Sequence, residues 1–319
     1  MATLLSYHPR WIPNIWKTKN SLFENLIAPL IMIKFTLFTP AYNRAYILPK
    51  LYESLRKQTS KDFEWIIVDD GSTDDTKVVY EGFKQDFFPI RYIKQPNAGK
   101  HIAVNKGVEL ARGKWFFIID SDDQLPADSI EKLEREEQTI DSENVGVICG
   151  MKHYFNGERI GGNLPFDRID CTALDFRYKY RIKGDVAEVI RTSVMKEFPF
   201  PQYAGEKFCP EALLFNRIAQ KYLTHYFNEC TYLCEYLPDG LSARITKVRM
   251  NSWHGTCLCY AEMGNAPVPI DIKLRAWINF WRFYACKSKH ISASDLSVPF
   301  YAKLLKPIGF MLHLKDIRS

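Results

Sequence analysis

An unbroken apolar run followed at once by three carboxylates constrains this chain more than any other feature. Residues 115–119, Trp-Phe-Phe-Ile-Ile, are typical of a short strand that is buried on both faces of a parallel sheet. Asp120, Asp122 and Asp123 follow within four positions. Because a buried strand cannot continue through unpaired charges, the chain must reach the surface here. Two interpretations are open: a solvated acidic turn, and a site for a hard divalent cation with a phosphate-bearing ligand.

Strand patterns and helix patterns alternate through the first half of the chain. The predicted strands are residues 33–39, 63–68, 90–94 and 115–119. The predicted helices between and after them are residues 46–56, 76–84, 101–111 and 127–139. Short loops join these segments, and such alternation predicts an α/β fold with a parallel sheet built from βαβ units.

Further segments are predicted in the second half of the chain. Residues 157–162 and 167–170 are expected to form loops, residues 232–236 a strand and residues 237–242 a turn.

Polar residues follow three of the predicted strands, in the loops at residues 39–43, 69–72 and 120–123. The carboxyl ends of parallel strands meet at one edge of the sheet, where ligands bind in open α/β folds, so we expect these loops to converge. The chain contains no GxGxxG after the first strand and no GxxxxGK[ST]. Dinucleotide-binding and P-loop sites are therefore not favoured.

Charge and cysteine content narrow the class of partners. The formal net charge of +6 over 319 residues suits an anionic substrate or a membrane surface, and it is too small to indicate nucleic acid. The eight cysteines form no CxxC pair and no cluster with zinc-site spacing, which is typical of a reduced, cytoplasmic protein. No apolar run reaches the length of a membrane span.

The first 31 residues do not have the pattern of a signal peptide, because the basic residues come late. We interpret them as an extension upstream of a natural start at Met32. An amphipathic segment that touches a membrane or a partner is the alternative.

Four ordered motifs resemble those of the family 2 glycosyltransferases, the nucleotide-diphosphosugar transferases with the GT-A fold. They are Phe-Thr-Pro-Ala-Tyr-Asn-Arg (38–44), Trp-Ile-Ile-Val-Asp-Asp-Gly-Ser-Thr-Asp-Asp-Thr (65–76), Asn-Ala-Gly-Lys-His-Ile-Ala-Val-Asn-Lys-Gly (97–107) and Asp-Ser-Asp-Asp (120–123). In order and spacing they cover most of residues 33–145, about a third of the chain. The resemblance implies a mixed, mainly parallel sheet flanked by helices.

The resemblance also implies a donor site for a nucleotide-diphosphosugar. It assigns the first nucleotide loop to Thr39, Pro40, Tyr42 and Asn43, with the Tyr42 ring near the base. It implies that Asp70 accepts a hydrogen bond from the imide of the base, which favours uridine. Asp69 is interpreted as a structural cap of the turn.

Four further residues take roles from the same resemblance. Lys100 is implied to contact base or phosphate, and Asp120 to contact ribose or sugar. Asp122 and Asp123 are implied to hold Mn²⁺ or Mg²⁺, which neutralises the diphosphate leaving group. Which of these two aspartates binds the metal directly stays open.

The catalytic base is expected near the start of a helix in the second half of the chain. We predict Glu211, although Ala212 follows it where the family often has a second acid, and Glu206 is the alternative. A base on the face opposite the leaving diphosphate implies a single displacement with inversion. Asp185 is either a sugar-pocket residue or a turn residue. His254, in a region where relatives often have a flexible loop, is interpreted as a surface residue, with a metal ligand as the alternative.

Two basic amphipathic helices, near residues 272–286 and 301–314, are expected at the carboxyl end. Binding to an anionic membrane and packing against the catalytic domain are both open for them. We divide the chain into an N-terminal extension (1–31), a nucleotide-sugar-binding subdomain (32–145), an acceptor-binding catalytic subdomain (146–270) and these helices (271–319).

The predicted function is an inverting, metal-dependent glycosyltransferase that uses a UDP-sugar and works in the cytoplasm or on the inner face of a membrane. The expected acceptor is a glycan or lipid-linked sugar in cell-surface polysaccharide or lipopolysaccharide synthesis, and the oligomeric state is not predicted. An inactive nucleotide-sugar-binding protein and a sugar-phosphate nucleotidyltransferase are the alternatives.

Overall fold

Eight strands form one mixed sheet in the computed structural model, which describes residues 33–235, 244–287 and 296–318. The strands are β1 (Phe35–Ala41), β2 (Phe63–Asp69), β3 (Ile90–Lys94), β4 (Trp115–Ile118), β5 (Val145–His153), β6 (Arg168–Cys171), β7 (Val186–Arg191) and β8 (Leu223–Leu233). Their order across the sheet is β3-β2-β1-β4-β7-β5-β8-β6.

The sheet is mainly parallel. Strands β3, β2, β1 and β4 pair in parallel, as do β5 and β8. Strand β7 is antiparallel to both β4 and β5, and β6 pairs antiparallel with β8 at the edge. The carboxyl ends of β1, β2 and β4 therefore lie at one edge, and the predicted α/β class with a mixed, mainly parallel sheet is confirmed.

Helices cover both faces of the sheet. They are α1 (Leu48–Arg56), α2 (Thr76–Glu81), α3 (Lys100–Leu110), α4 (Ser129–Glu137), α5 (Thr192–Glu197), α6 (Ala212–Ile218), α7 (Ile245–Asn251), α8 (Trp253–Asn265), α9 (Ile270–Tyr284) and α10 (Lys306–Asp316), with a π-helical turn at Asp175–Lys179 and a 3-10 helix at Phe300–Leu305. Apolar residues of α1 and α4 pack in one core cluster. Those of α3, α5, α6 and α8 pack in the cluster on the other face.

Strand β4 is the buried central strand that its sequence predicts. Trp115 and Phe117 pack in one core cluster, Phe116 packs in the other, and all three are fully buried. Since aromatic rings fill both sides of this strand, its position in the sheet is fixed just where the acidic turn begins.

Two segments of the second half differ from their predictions. Residues 167–170 were predicted as a loop, but Arg168–Cys171 forms β6, which is paired with β8. Only Cys171 of β6 is buried, so the segment lacks an alternating apolar pattern and depends on its partner strand. Strand β8 begins at Leu223, well before the strand that was predicted at residues 232–236.

Residues 247–254 were predicted in the region of a flexible loop, and the structure has helices there. Lys247 and Arg249 lie in α7, and His254 lies in the first turn of α8. The expectations for residues 1–31 and for a turn at residues 237–242 lie outside the described residues.

Strand β7 pairs with both β4 and β5, so the sheet is continuous across the predicted boundary at residue 145. The division into donor and acceptor subdomains stays a prediction.

The two helical segments at the carboxyl end are present as α9 and as the 3-10 helix followed by α10. Trp277, Phe280 and Phe283 of α9 are buried against Cys257 and Ala261 of α8. Packing against the rest of the molecule is therefore confirmed for one side of α9. None of the described helices combines the length and the apolar character that a membrane span requires.

Candidate active site

The loops after β1 and β2 are held together by Asn43. Its backbone N–H donates to Ser72 Oγ (2.8 Å), and its side-chain Oδ1 accepts from the N–H of Thr73 (2.9 Å). Asn43 has a φ of 54°, a left-handed conformation that asparagine tolerates better than most residues. The Asn43 side chain therefore links the two loops.

The other residues of the predicted nucleotide loop differ in how far their side chains are exposed to solvent. Thr39 is fully buried, and its Oγ1 accepts a hydrogen bond from Trp65 Nε1 (3.0 Å), so its hydroxyl supports the sheet. Pro40 is half-buried and pairs with Val68 in the register of β1 and β2. Tyr42 is 50% exposed, which leaves its ring available for stacking on a base.

Asp70 anchors the loop that leads into α3. Its Oδ1 accepts from Gln95 Nε2 (2.8 Å) and Ala98 N (2.8 Å), and its Oδ2 accepts from Gly99 N (2.7 Å) and Asn97 Nδ2 (3.2 Å). A carboxylate offers about four acceptor positions, so this one is saturated. The implied contact with a base imide would require one of these bonds to break.

Asp69 is a structural cap, as predicted. It is fully buried, and its carboxylate accepts from the N–H of Ser72 (2.7 Å) and from the hydroxyl of Tyr92.

Gly99 sets the position of Lys100 at the start of α3. Its φ is 97°, and a Cβ at this position would overlap the backbone of Lys207. Only glycine allows this close approach. The contact brings the start of α3 against the segment that leads to Glu211.

Lys100 joins two of the predicted site residues. Its Nζ lies 2.5 Å from Asp120 Oδ1 and 2.7 Å from Glu211 Oε1. Burial opposes the charge on Lys100, but the two carboxylates outweigh it and raise the pKa of the ammonium group. Burial likewise opposes the charge on Asp120, and Lys100 holds its pKa below the usual value. The Lys100 ammonium group is thus the point where three elements meet: α3, the turn after β4 and the start of α6.

The acidic turn after β4 is organised by Tyr232. The Tyr232 hydroxyl donates to Asp123 Oδ2 (2.7 Å) and accepts from the N–H of Asp120 (3.0 Å). Burial, and then the charge of Asp120, raise the pKa of Asp123 to about 7. Asp122 forms no hydrogen bond or ion pair with any residue that the structure describes.

The residues of this turn fit a divalent cation that takes few protein ligands. Nowhere in the described residues do three or more His, Cys, Asp or Glu side chains form a metal-binding group. Mg²⁺ in nucleotide sites commonly uses one or two carboxylates and completes its shell with phosphate oxygens and water. Asp122 offers a carboxylate that no described residue engages, and beside it Asp123 is buried near other negative charges. One or two carboxylates suit Mg²⁺ or Mn²⁺ when a phosphate ligand supplies further oxygen atoms.

Lys152 and Glu188 belong to the same cluster of charges, although neither lies in one of the four motifs. Lys152 Nζ lies 4.2 Å from the centroid of the Tyr232 ring. Burial opposes its charge, but Asp120, Glu188 and Asp123 raise its pKa. Burial raises the pKa of Glu188 to about 7. A charged residue inside an apolar segment was the signal that could have identified each of them. Lys152 follows Met151, and Glu188 lies within Val-Ala-Glu-Val-Ile (186–190).

The two candidates for the base differ in their surroundings. The Glu206 carboxylate accepts from the N–H groups of His254 (2.7 Å) and Gly255 (3.0 Å), so it caps α8. His254 is buried and stacks on Tyr203 at 3.8 Å, which corrects its assignment to the surface. Glu211 precedes α6 without a side-chain capping bond and instead pairs with Lys100. The geometry therefore favours Glu211 as the site residue.

Comparison with known proteins gives one family. Residues 36–188 match the family model described as Glycosyl transferase family 2. Glycosyltransferase GlyG of Streptococcus pneumoniae serotype 4 is 34% identical over 128 residues, 40% of this chain and 41% of that protein. Dolichyl-phosphate beta-glucosyltransferase of Dictyostelium discoideum is 31% identical over 145 residues, 42% of this chain and 44% of that protein. The chain thus matches less than half the length of these relatives.

Solved structures share the fold over a longer part of the chain. S. aureus TarS 1-349 in complex with UDP-GlcNAc superposes with a TM-score of 0.56 and 20% identity, covering 86% of this chain and 79% of that one. Mannosyltransferase PcManGT from Pyrobaculum calidifontis, in complex with GDP-Man and Mn²⁺, gives a TM-score of 0.54 and 15% identity, covering 89% and 86%. The mixed eight-stranded sheet is that of the GT-A fold.

Proposed function

Because the chain belongs to glycosyl transferase family 2 through residues 36–188, we propose that it transfers a sugar from a nucleotide-diphosphosugar to an acceptor hydroxyl. The observation that carries this proposal is the meeting of Asp120 and Glu211 at Lys100 Nζ. Asp120 belongs to the donor-side turn, and Glu211 begins a helix of the other half of the chain. One ammonium group therefore joins a donor-side acid to the acid that we assign to the acceptor.

The proposed base is Glu211. Its side chain is 42% exposed, so an acceptor hydroxyl can reach the carboxylate. Glu211 accepts the proton of that hydroxyl, whose oxygen attacks the anomeric carbon from the face opposite the diphosphate. A single displacement of this kind inverts the anomeric configuration.

The donor site is proposed at the carboxyl ends of β1, β2 and β4. The Tyr42 ring stacks on the base, and Asp120 contacts the ribose or sugar. Asp122 and Asp123 would hold Mn²⁺ or Mg²⁺, which when bound neutralises charge on the diphosphate leaving group. Support for the metal and for a uridine nucleotide comes from PcManGT, which is described with Mn²⁺, and from TarS, which is described with UDP-GlcNAc.

The acceptor is proposed to be a glycan or lipid-linked sugar in cell-surface polysaccharide synthesis, on the cytoplasmic side of a membrane. The dolichyl-phosphate beta-glucosyltransferase among the relatives supports a lipid-linked acceptor for this domain type.

The test of the base is Glu211→Gln, which keeps the shape of the side chain and removes its charge. UDP release would be measured with a panel of UDP-sugars and candidate acceptors. We expect transfer to fall at least about 100-fold, the usual contribution of a general base, while the Kd for UDP changes less than about twofold. Glu109→Gln on α3, an exposed carboxylate paired with Lys106, is the matched control and should keep wild-type activity.

Three outcomes would contradict the proposal. Transfer by the Glu211→Gln protein at the wild-type rate would remove Glu211 as the base. UDP binding without turnover across all acceptors would indicate an inactive nucleotide-sugar-binding protein. Pyrophosphate release from UTP and a sugar 1-phosphate would indicate a nucleotidyltransferase.

A further inference from the structure

Residues 300–318 leave an unusual number of large apolar side chains exposed. Fifteen large apolar side chains of the described residues are exposed, and seven of them lie in this segment: Phe300, Tyr301, Leu304, Ile308, Phe310, Met311 and Ile317. Phe300 is 79% exposed, Leu304 73% and Met311 65%. Soluble monomers rarely present such a contiguous apolar patch without a binding partner.

The opposite side of this segment is already packed. Gly309 is buried against Trp281 and Ile278 of α9, and Trp281 Nε1 donates to the carbonyl oxygen of Ala302 (2.7 Å). Arg282 forms two bonds with Asp316, at 2.5 and 2.6 Å. The segment is therefore held on α9 by small residues and a bidentate ion pair, and packing among the described residues does not cover its outer apolar side chains.

The exposed residues recur with helical spacing. Ile308, Met311 and Lys315 follow one another at i, i+3 and i+7 in α10, on the side away from Gly309. Tyr301 and Leu304 share a side of the 3-10 helix, because its residues repeat every three positions. We call the four apolar residues among these, Tyr301, Leu304, Ile308 and Met311, together with Phe300, the outer apolar face, and Lys315 borders it.

Positive charges accompany the outer apolar face. Residues 300–318 contain four basic residues and one acidic residue, and that acid, Asp316, pairs with Arg282. The basic residues are Lys303, Lys306, Lys315 and Arg318. An apolar stripe flanked by lysine and arginine, with its one acid neutralised, complements the interface of a bilayer that carries negative headgroups.

We propose that the outer apolar face and its four basic residues dock the protein on an anionic membrane surface. The apolar side chains enter the boundary between headgroups and acyl chains, while the basic side chains contact lipid phosphates. The side of α10 that carries Ile308 and Met311 faces the bilayer, whereas Phe310 and Ile317, which are also exposed, lie on another side of the helix. The proposal rests on the surface alone and does not depend on the proposed sugar transfer.

The test is flotation of the full chain with vesicles of phosphatidylcholine, with and without about one third phosphatidylglycerol. We expect binding to the anionic vesicles, and we expect raised salt to weaken it because it screens the charge attraction. The double variant Leu304→Glu/Met311→Glu should lower the partition coefficient at least about tenfold, since two apolar contacts become charges. The double variant Lys303→Ser/Lys315→Ser should lower the partition coefficient by a similar factor, since each lost charge weakens binding about fivefold.

The matched control is Val78→Glu on α2, an apolar residue that is 64% exposed outside this segment. It should bind vesicles like the wild type. Binding of the Leu304→Glu/Met311→Glu protein at the wild-type level would overturn the proposal, as would equal binding to both vesicle types. A stable dimer that the same double variant disrupts would instead assign the face to a second copy of the chain. UDP-sugar turnover of the variants with a soluble acceptor separates this result from the proposed function.

Discussion

Lys100, Asp120 and Glu211 come from three elements that are distant in the chain, and they meet because of two local constraints. The chain leaves β4 after Ile118 and reaches the surface at Asp120, and Gly99 lets the start of α3 approach the backbone of Lys207. The side chains at this point are 32–42% exposed, so solvent weakens the ion pairs. These ion pairs therefore contribute little to stability, and their role is to place two carboxylates on either side of one cation.

The Tyr232 hydroxyl is expected to position the acidic turn. Tyr232→Phe removes the donor to Asp123 Oδ2 and the acceptor for the N–H of Asp120, and it leaves a buried carboxylate oxygen and a part-buried N–H without this partner. We expect a loss of about 1–3 kcal/mol in the free energy of unfolding. UDP binding in the presence of Mn²⁺ should weaken about tenfold, as measured by calorimetry.

The control for this change is Tyr226→Phe, a buried tyrosine of the same strand whose ring stacks on Phe176. It should leave UDP binding unchanged. Wild-type affinity for UDP and Mn²⁺ in the Tyr232→Phe protein would show that the turn holds its shape without this hydroxyl.

The sequence predicted the acids of the site better than their partners. Asp120, Asp122 and Asp123 were found because they interrupt an apolar run, and Asp69 because carboxylates commonly cap turns. The saturation of Asp70 by the loop at residues 97–99 could not be predicted, since it depends on how that loop folds back. The pairing of Lys100 with Glu211 spans more than a hundred residues and has no local pattern.

At the level of elements, the first half of the fold was predictable and the second half less so. Strand β4 is apolar throughout and β2 is fully buried, and the bounds of both, like those of β3, agree with the prediction within a residue. Strand β6 is mostly exposed, so its hydrogen bonds to β8, and not its apolar residues, define it.

The contact between β6, β8 and α4 depends on a buried carboxylate. Glu136 is fully buried, and it accepts two bonds from Arg168, at 2.7 and 2.9 Å. Burial opposes its charge, but Arg168, His225 and Arg135 lower its pKa from 4.5 to about 2. An acid whose pKa is lower in the folded state stabilises above its unfolded pKa, and this contribution is lost as the pH falls through the folded pKa.

Glu136→Gln is therefore expected to destabilise the protein by about 2 kcal/mol at pH 7. The difference from the wild type should shrink as the pH falls from about 4.5 to about 2, because the wild-type carboxylate becomes protonated. Urea unfolding at several pH values measures it. Glu131→Gln, on the exposed side of α4, is the control and should cost less than about 0.5 kcal/mol. A difference that stays constant down to pH 2 would contradict this account of the Glu136 charge.

For the whole molecule, the family match and the proposed site do not coincide. The match ends at residue 188, whereas Glu211 and Tyr232 lie beyond it. The matched residues therefore include the proposed donor-side turn, whereas Glu211 lies outside them and its proposed role rests on the resemblance and on its pairing with Lys100. One continuous sheet joins the two halves through β7, which explains how residues outside the matched region reach the acids after β4.

The central claim is that the acidic turn after β4 forms the donor site, and calorimetric titration with UDP tests it most directly. We predict binding in the presence of Mn²⁺, loss of binding in EDTA, and at least tenfold weaker binding for Asp122→Asn, with Asp167→Asn, an exposed acid outside the site, behaving like the wild type. If UDP, GDP and dTDP all fail to bind with or without Mn²⁺, or if Asp122→Asn binds UDP as tightly as the wild type, the turn is not the donor site.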